Sequence, residues 1–285
     1  MTTTFELGPY LRERREAVDA ALDRALPAIR EGDDPRDLKA GMRYAVLQGG
    51  KRMRPLITIA ACEAVGGAME AALPPSCALE MIHAYSLVHD DLPAMDNDLE
   101  RRGLPTVHVK FGEAGAILVG DALLTHAFTV LTTGEVPRDR AAAAVARLAH
   151  HAGIFGMVGG QALDLVHGQD IRDLEVLEQV HALKTGALYA AAGAMGAIVG
   201  GADQAVVDRL ERWGLCFGIA FQHADDMLDD DQKHLRAAAL ARVDELVKEC
   251  HALAAGFGER GGALRGLAEW VRLRAHDAAA GHRAD

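Results

Sequence analysis

From Thr185 to Ala202 the chain reads TGALYAAAGAMGAIVGGA, 18 residues without a charge. A run of that length must be kept from water, inside a protein core or inside a bilayer. Its alanines and glycines insert into lipid far less readily than Leu, Ile or Phe. A buried core helix is therefore expected here, and no membrane span.

A helix buried on every side needs other helices around it. Ala-rich segments recur at 17–30, 141–152, 186–199 and 236–255. Apolar residues follow three-and-four spacing, as at Val145, Leu148, Ala149 and Ala152. Pro137 reads as a helix start, and paired glycines such as Gly66–Gly67 and Gly200–Gly201 read as helix ends. Strand candidates are few: LITIA (56–60) and VHVKF (107–111). The pattern predicts an all-α chain of about ten or more helices. Its 285 residues lie near the upper limit for one hydrophobic core. No Pro- or Ser-rich linker divides them, so a single domain over 1–285 is expected, with a frayed tail at 275–285.

The net charge of −11, with no basic stripe, argues against a general nucleic-acid binder. Four scattered cysteines without CxxC spacing argue against a disulfide framework or zinc knuckle. The first residues, MTTTFELGPYLRERRE, contain no apolar signal segment, so a cytoplasmic location is expected.

Two acid clusters carry the chemistry. In HADDMLDDD (223–231), Asp225 and Asp229 share a helix face, with Asp226 beside them. The preceding LCFGIAFQ is strongly apolar, so these acids end a core helix. HDDLPAMDNDLERRG (89–103) likewise follows an apolar run. Asp90 and Asp96 would sit about 120° apart on an unbroken helix. They converge only if the helix ends between them, and Pro93 offers the break. Each cluster alone reads equally as a solvated acidic helix end. Together they could face one another and hold Mg²⁺ beside a phosphate. Arg101 and Arg102 follow at once, with forked donors suited to a diphosphate. LQGGKRMRP (47–55) adds a cationic turn through Lys51, Arg52 and Arg54. It is either a second anion site or a basic helix start on the surface.

GGKRMRP, DDLPAMDNDLERRG, GDALLTHAF, GGQALDL, HALKTG and FQHADDMLDD occur in one order along the chain. As an ordered set they resemble the trans-polyprenyl diphosphate synthases of the farnesyl and geranylgeranyl type, over nearly the whole chain. The resemblance implies an isoprenoid-synthase bundle around a deep central cavity, a homodimer, and three Mg²⁺ ions. It implies that Asp90, Asp96 and Asp225 ligate the ions, with Asp91, Asp226 and Asp229 in support. Arg101, Lys184, Thr185 and Gln222 would hold the allylic diphosphate or flank its tail. Lys51, Arg54, His83 and Arg102 would hold isopentenyl diphosphate. Gln161 and Asp164 would either support the site or pack between helices.

The implied reaction ionises dimethylallyl or geranyl diphosphate, adds isopentenyl diphosphate and eliminates a proton. Tyr85, with Ser86 beside it, would floor the tail cavity and set chain length. That favours a farnesyl product, with geranylgeranyl as the alternative. A terpene cyclase would carry a different second metal motif. A non-catalytic modulating subunit of a heteromer is a further alternative, because one expected feature is missing. After MLDDD the family continues with a lysine-bearing lid loop. Here the chain passes straight to QKHLRAAALARVDEL, about twenty residues short by the family pattern. Either the lid is absent, or a loop is omitted from the chain as written. The intact motifs elsewhere favour omission. Lys233 is not taken as the missing lysine.

Overall fold

In the computed structural model, residues 5–133, 136–168 and 171–281 are described. The uncharged run forms α10 (Ala187–Gly200), and every residue from Ala187 to Val199 is buried. Its small side chains let neighbouring backbones come close. A Cβ on Gly193 would lie 2.0 Å from the carbonyl oxygen of Leu210 in α11 (Gln204–Leu228). A Cβ on Gly196 would lie 2.2 Å from that of Thr58 in α3 (Met53–Ala64). Glycine is thus required at both contacts, and leucine could not replace the alanines between them without opening the bundle.

The remaining helices complete the bundle. The first half contributes α1 (Leu7–Ala25), α2 (Leu38–Leu47), α4 (Met69–Asp90), α5 (Val107–Phe111) and α6 (Glu113–Thr133). The second half contributes α7 (Arg138–Ala152), α8 (Met157–His167), α9 (Leu174–Val180), α12 (Arg236–Ala254) and α13 (Gly262–Ala279). Among the described residues, strand is confined to a two-stranded antiparallel hairpin, β1 (Glu100–Arg101) and β2 (Leu104–Pro105). Between α9 and α10 the backbone makes a π-helical turn over His181–Gly186.

Both strand candidates are helical, as parts of α3 and α5. LITIA lies in the core on all sides, with each residue from Leu56 to Ala60 at 0% exposure. Its Thr58 hydroxyl donates to the Arg54 carbonyl one helical turn back, at 3.0 Å. The tail expectation is corrected in part. The last helix runs to Ala279, with Ala275 and Ala278 buried, because its apolar stripe docks on the core. Residues 282–285 lie outside the described residues. All four cysteines are free and buried.

Among the described residues, three helical stretches are long and apolar enough to cross a membrane: Glu113–Thr133, Arg138–His167 and Leu174–Gly200. The last contains α10 and is 72% buried in its most apolar window, so the bundle interior accounts for that apolarity.

Candidate active site

The C-terminal ends of α4 and α11 meet at one cavity of about 830 Å³, lined by both Asp90 and Asp225. Helix C-termini carry the negative end of the macrodipole, so acids there are destabilised unless cations compensate. Burial, reinforced by Asp96 and Asp91, pushes the Asp90 carboxyl up to about 6, although Lys184 opposes the rise. Asp229 is also raised, by burial and by Asp225. Asp225 is held by Arg274 Nη2 at 2.7 Å and Lys51 Nζ at 3.6 Å. A hard divalent cation fits the carboxylate oxygens that Asp90 and Asp225 bring to the cavity.

The helix ends at Asp90 itself, before Pro93, and the chain folds back so that the Asp96 N–H donates to the Asp90 carbonyl at 2.8 Å. Asp96 and Asp229 are exposed and lie outside the cavity lining. Asp91 is turned elsewhere. It is 3% exposed, and its carboxylate accepts from Arg101 Nε at 2.9 and 3.1 Å and from Nη2 at 2.6 Å. Asp226 is similarly engaged away from the cavity, by Gln222 Nε2 at 2.8 Å and His181 Nε2 at 3.1 Å. The structure thus brings Asp90 and Asp225 together, and leaves Asp91, Asp96, Asp226 and Asp229 off the lining.

The cations come from three directions. Lys51 lies just before α3 and Arg54 in its first turn, and both line the cavity. Arg54 stacks over the Tyr189 ring at 4.6 Å. Arg52, between them, also borders the cavity but turns its guanidinium inward. It is 4% exposed and bonds Asp19 at 2.9 Å, Glu80 at 2.7 Å and the Val46 carbonyl at 2.9 Å. Arg102 reaches across from the hairpin and donates to the Gly49 carbonyl at 2.5 Å. Gly50, at φ 138°, makes that crossing possible, since a Cβ there would stand 2.9 Å from Arg102 Nη1. His83 sits among these cations. Burial, then Arg54 and Arg102, push its pKa down, so the ring is neutral.

Opposite them, the π-helical turn presents Lys184 and Thr185. Lys184 Nζ pairs with Asp164 Oδ2 at 2.6 Å, which places Asp164 as its partner rather than as a helix-packing group. Thr185 Oγ1 donates to Gln222 Oε1 at 2.8 Å. Gln161 lines the cavity from α8.

The apolar wall includes Tyr85, Met157, Leu165 and Phe221. Tyr85 is 7% exposed, and burial, then Asp90, push its hydroxyl up to about 12. Its ring meets His89 edge-on at 5.8 Å. Ser86 lines the same wall and donates to the His83 carbonyl at 2.9 Å. Sequence reasoning missed Arg274, whose only sequence signal is its position one turn after Trp270, the ring it overlies at 5.7 Å.

After Asp229 the chain reaches α12 through Asp230–Leu235 alone. Asp230 and Gln232 take left-handed φ of 64° and 46° there, the geometry of a tight turn. Lys233 pairs with Asp230 at 2.6 Å and is mostly exposed.

A helical bundle whose two aspartate-bearing helix ends and surrounding cations share one cavity defines a diphosphate- and metal-handling class of protein. The fold matches the crystal structure of an FPP/GFPP synthase from Zymomonas mobilis, with a TM-score of 0.83, 37% identity, and coverage of 93% of this chain and 98% of that one. The polyprenyl synthetase profile matches residues 35–236, and the chain belongs to that family. It is 43% identical over 246 residues to the heterodimeric geranylgeranyl pyrophosphate synthase large subunit 2 of Arabidopsis thaliana, covering 85% of this chain and 64% of that subunit's length. It is 41% identical to a dimethylallyltranstransferase of Fischerella ambigua, covering 96% of this chain and 85% of that protein. That alignment runs over 299 positions, more than the 285 residues of this chain.

Proposed function

We propose that the chain is a chain-elongating prenyltransferase that joins isopentenyl diphosphate to an allylic diphosphate. The observation that carries this reading is the convergence of Asp90 and Asp225 with Lys51, Arg54, Arg102 and Lys184 on one cavity. Asp90 and Asp225 would hold Mg²⁺, with Asp96 and Asp229 in reach at the rim. When bound, Mg²⁺ supplies the charge neutralisation that a departing diphosphate needs. Three ions are part of the same proposal.

Lys51, Arg54 and Arg102 bind and orient one diphosphate, and neutral His83 adds a hydrogen bond without adding charge. Lys184 and Thr185 position the other. The allylic C–O bond breaks, the isopentenyl double bond attacks the allylic carbon, and a proton leaves to the released diphosphate. Tyr85, Met157, Leu165 and Phe221 keep water from the cationic carbon.

Tyr85 in the tail wall supports a farnesyl product from dimethylallyl or geranyl diphosphate. The name carried by the Arabidopsis relative supports geranylgeranyl as a second reading. Incubation with Mg²⁺, dimethylallyl diphosphate and isopentenyl diphosphate, followed by chain-length analysis, tests both. A fifteen-carbon product that lengthens in Tyr85→Ala supports the first. A twenty-carbon product supports the second. Turnover only with an added partner subunit would replace both with a modulating role.

A further inference from the structure

At the start of the π-helical turn, outside the cavity lining, two imidazoles and a carboxylate face one another. His181, His223 and Asp226 each offer one ligand atom, and these atoms all lie within 4.8 Å of each other. His223 is 0% exposed, and neither ring nitrogen has a hydrogen-bond partner. His181 is 5% exposed, and its Nδ1 also lacks one. An ion bound through one His223 nitrogen would satisfy a buried polar atom that otherwise costs stability. Glu178 approaches as a fourth donor, with Oε1 at 3.5 Å from His223 Nε2, too long for a well-formed hydrogen bond.

We propose that His181, His223 and Asp226, closed by Glu178, form a second, buried metal site that takes a borderline transition-metal ion such as Zn²⁺. Ligand bonds of about 2.0–2.1 Å in a tetrahedron place neighbouring ligand atoms roughly 3.3 Å apart. The His181 Nε2–Asp226 Oδ2 separation of 3.1 Å lies near that edge, while the 4.8 Å bound on the three ligand atoms leaves His223 and Glu178 to draw in as the ion binds. Two neutral imidazoles and two carboxylates balance the charge of a divalent ion. The nitrogen donors select against Mg²⁺ and for the zinc class. Outer contacts already orient both carboxylates. Gln222 Nε2 holds Asp226 Oδ1 at 2.8 Å, and Arg242 Nε holds Glu178 at 2.9 Å, as expected around a metal centre. The partly exposed Glu178 leaves the ion a route in. The ion would tie the turn carrying Lys184 and Thr185 to the helix end carrying Asp225. It would brace the two cavity edges without touching substrate.

The test uses Co²⁺ as the probe, added to chelator-stripped protein in excess Mg²⁺ so that the aspartate motifs are filled. The expected result is the intense visible absorption of four-coordinate cobalt, abolished by one equivalent of Zn²⁺. His223→Val and His181→Asn should each weaken cobalt binding at least tenfold, and Asp90→Asn should leave it unchanged. Only the weak six-coordinate spectrum, or a signal lost in Asp90→Asn, would overturn the site. Should the histidine variants misfold, X-ray absorption of the zinc-loaded unaltered protein decides. Two imidazole ligands support the site, and fewer overturn it. None of these readouts requires turnover, so they stand apart from the prenyltransferase assay.

Discussion

Arg52 and its neighbours Lys51 and Arg54 differ in fate although they are adjacent in sequence. Arg52 takes a left-handed φ of 52° and turns into the core to meet Glu80, which is itself buried. Its task is structural. Arg52→Met strands the Glu80 carboxylate, and the expected loss is about 3–5 kcal/mol in a denaturant melt. Replacing Glu80 by Gln in the same protein should restore part of it. Asp90 gives a pH-dependent case. Its carboxyl is raised to about 6, chiefly by burial, above the value near 3.9 of an unfolded chain. The folded state therefore binds the extra proton between these values. Stability from that proton is full below about pH 4 and is lost as pH rises through 6. Metal-free Asp90→Asn should thus be more stable than the parent above pH 6, by on the order of 1–2 kcal/mol after allowance for solvent access. The difference should vanish near pH 4, which urea melts across pH will show. Neither residue's pairing was legible in sequence. GGKRMRP announces cations but not which of them faces inward, and the pairing of Asp91 with Arg101 leaves no mark in the sequence beyond their nearness.

At the scale of elements, α10 was the easiest to read. Its lack of charge admits few environments, and the interior of the bundle is the one it occupies. Its glycines set the spacing to α3 and α11. Gly193→Ala places a methyl against the Leu210 carbonyl oxygen and should cost about 1–3 kcal/mol, seen as a lower midpoint in thermal unfolding. LITIA was misread as a possible strand because a helix buried all round shows no amphipathic period, and β-branched residues then suggest a strand. The π-helical turn left no periodic trace at all, since one extra residue in a helix does not alter composition. The end of α4 was legible, although the turn falls before Pro93 rather than at it.

Across the whole molecule, motif order carried the fold and the meeting of two distant acid clusters, because both requirements are written locally at helix ends. What depends on distant partners, such as Arg274 reaching Asp225, was not written there. Ile154, Phe155, Val158 and Val166 stand 73, 66, 45 and 80% exposed on and before α8. A homodimer that covers them is the expectation, and sedimentation should give about twice the 30.3 kDa chain mass. Ile154→Lys with Phe155→Glu should shift that toward one chain while far-UV circular dichroism stays helical.

The π-helical turn has a consequence for how this chain can vary. From Leu174 to Gly200 the backbone is one continuous rod with a single residue too many for regular α-helical phase. Deleting any residue between His181 and Gly186 would restore that phase, and rotate one half of the rod against the other by about 100°. Either Lys184 would swing away from Asp164, or the small-residue face of α10 would leave its groove. A change of length in this segment therefore displaces whole elements, where a substitution alters one side chain in place.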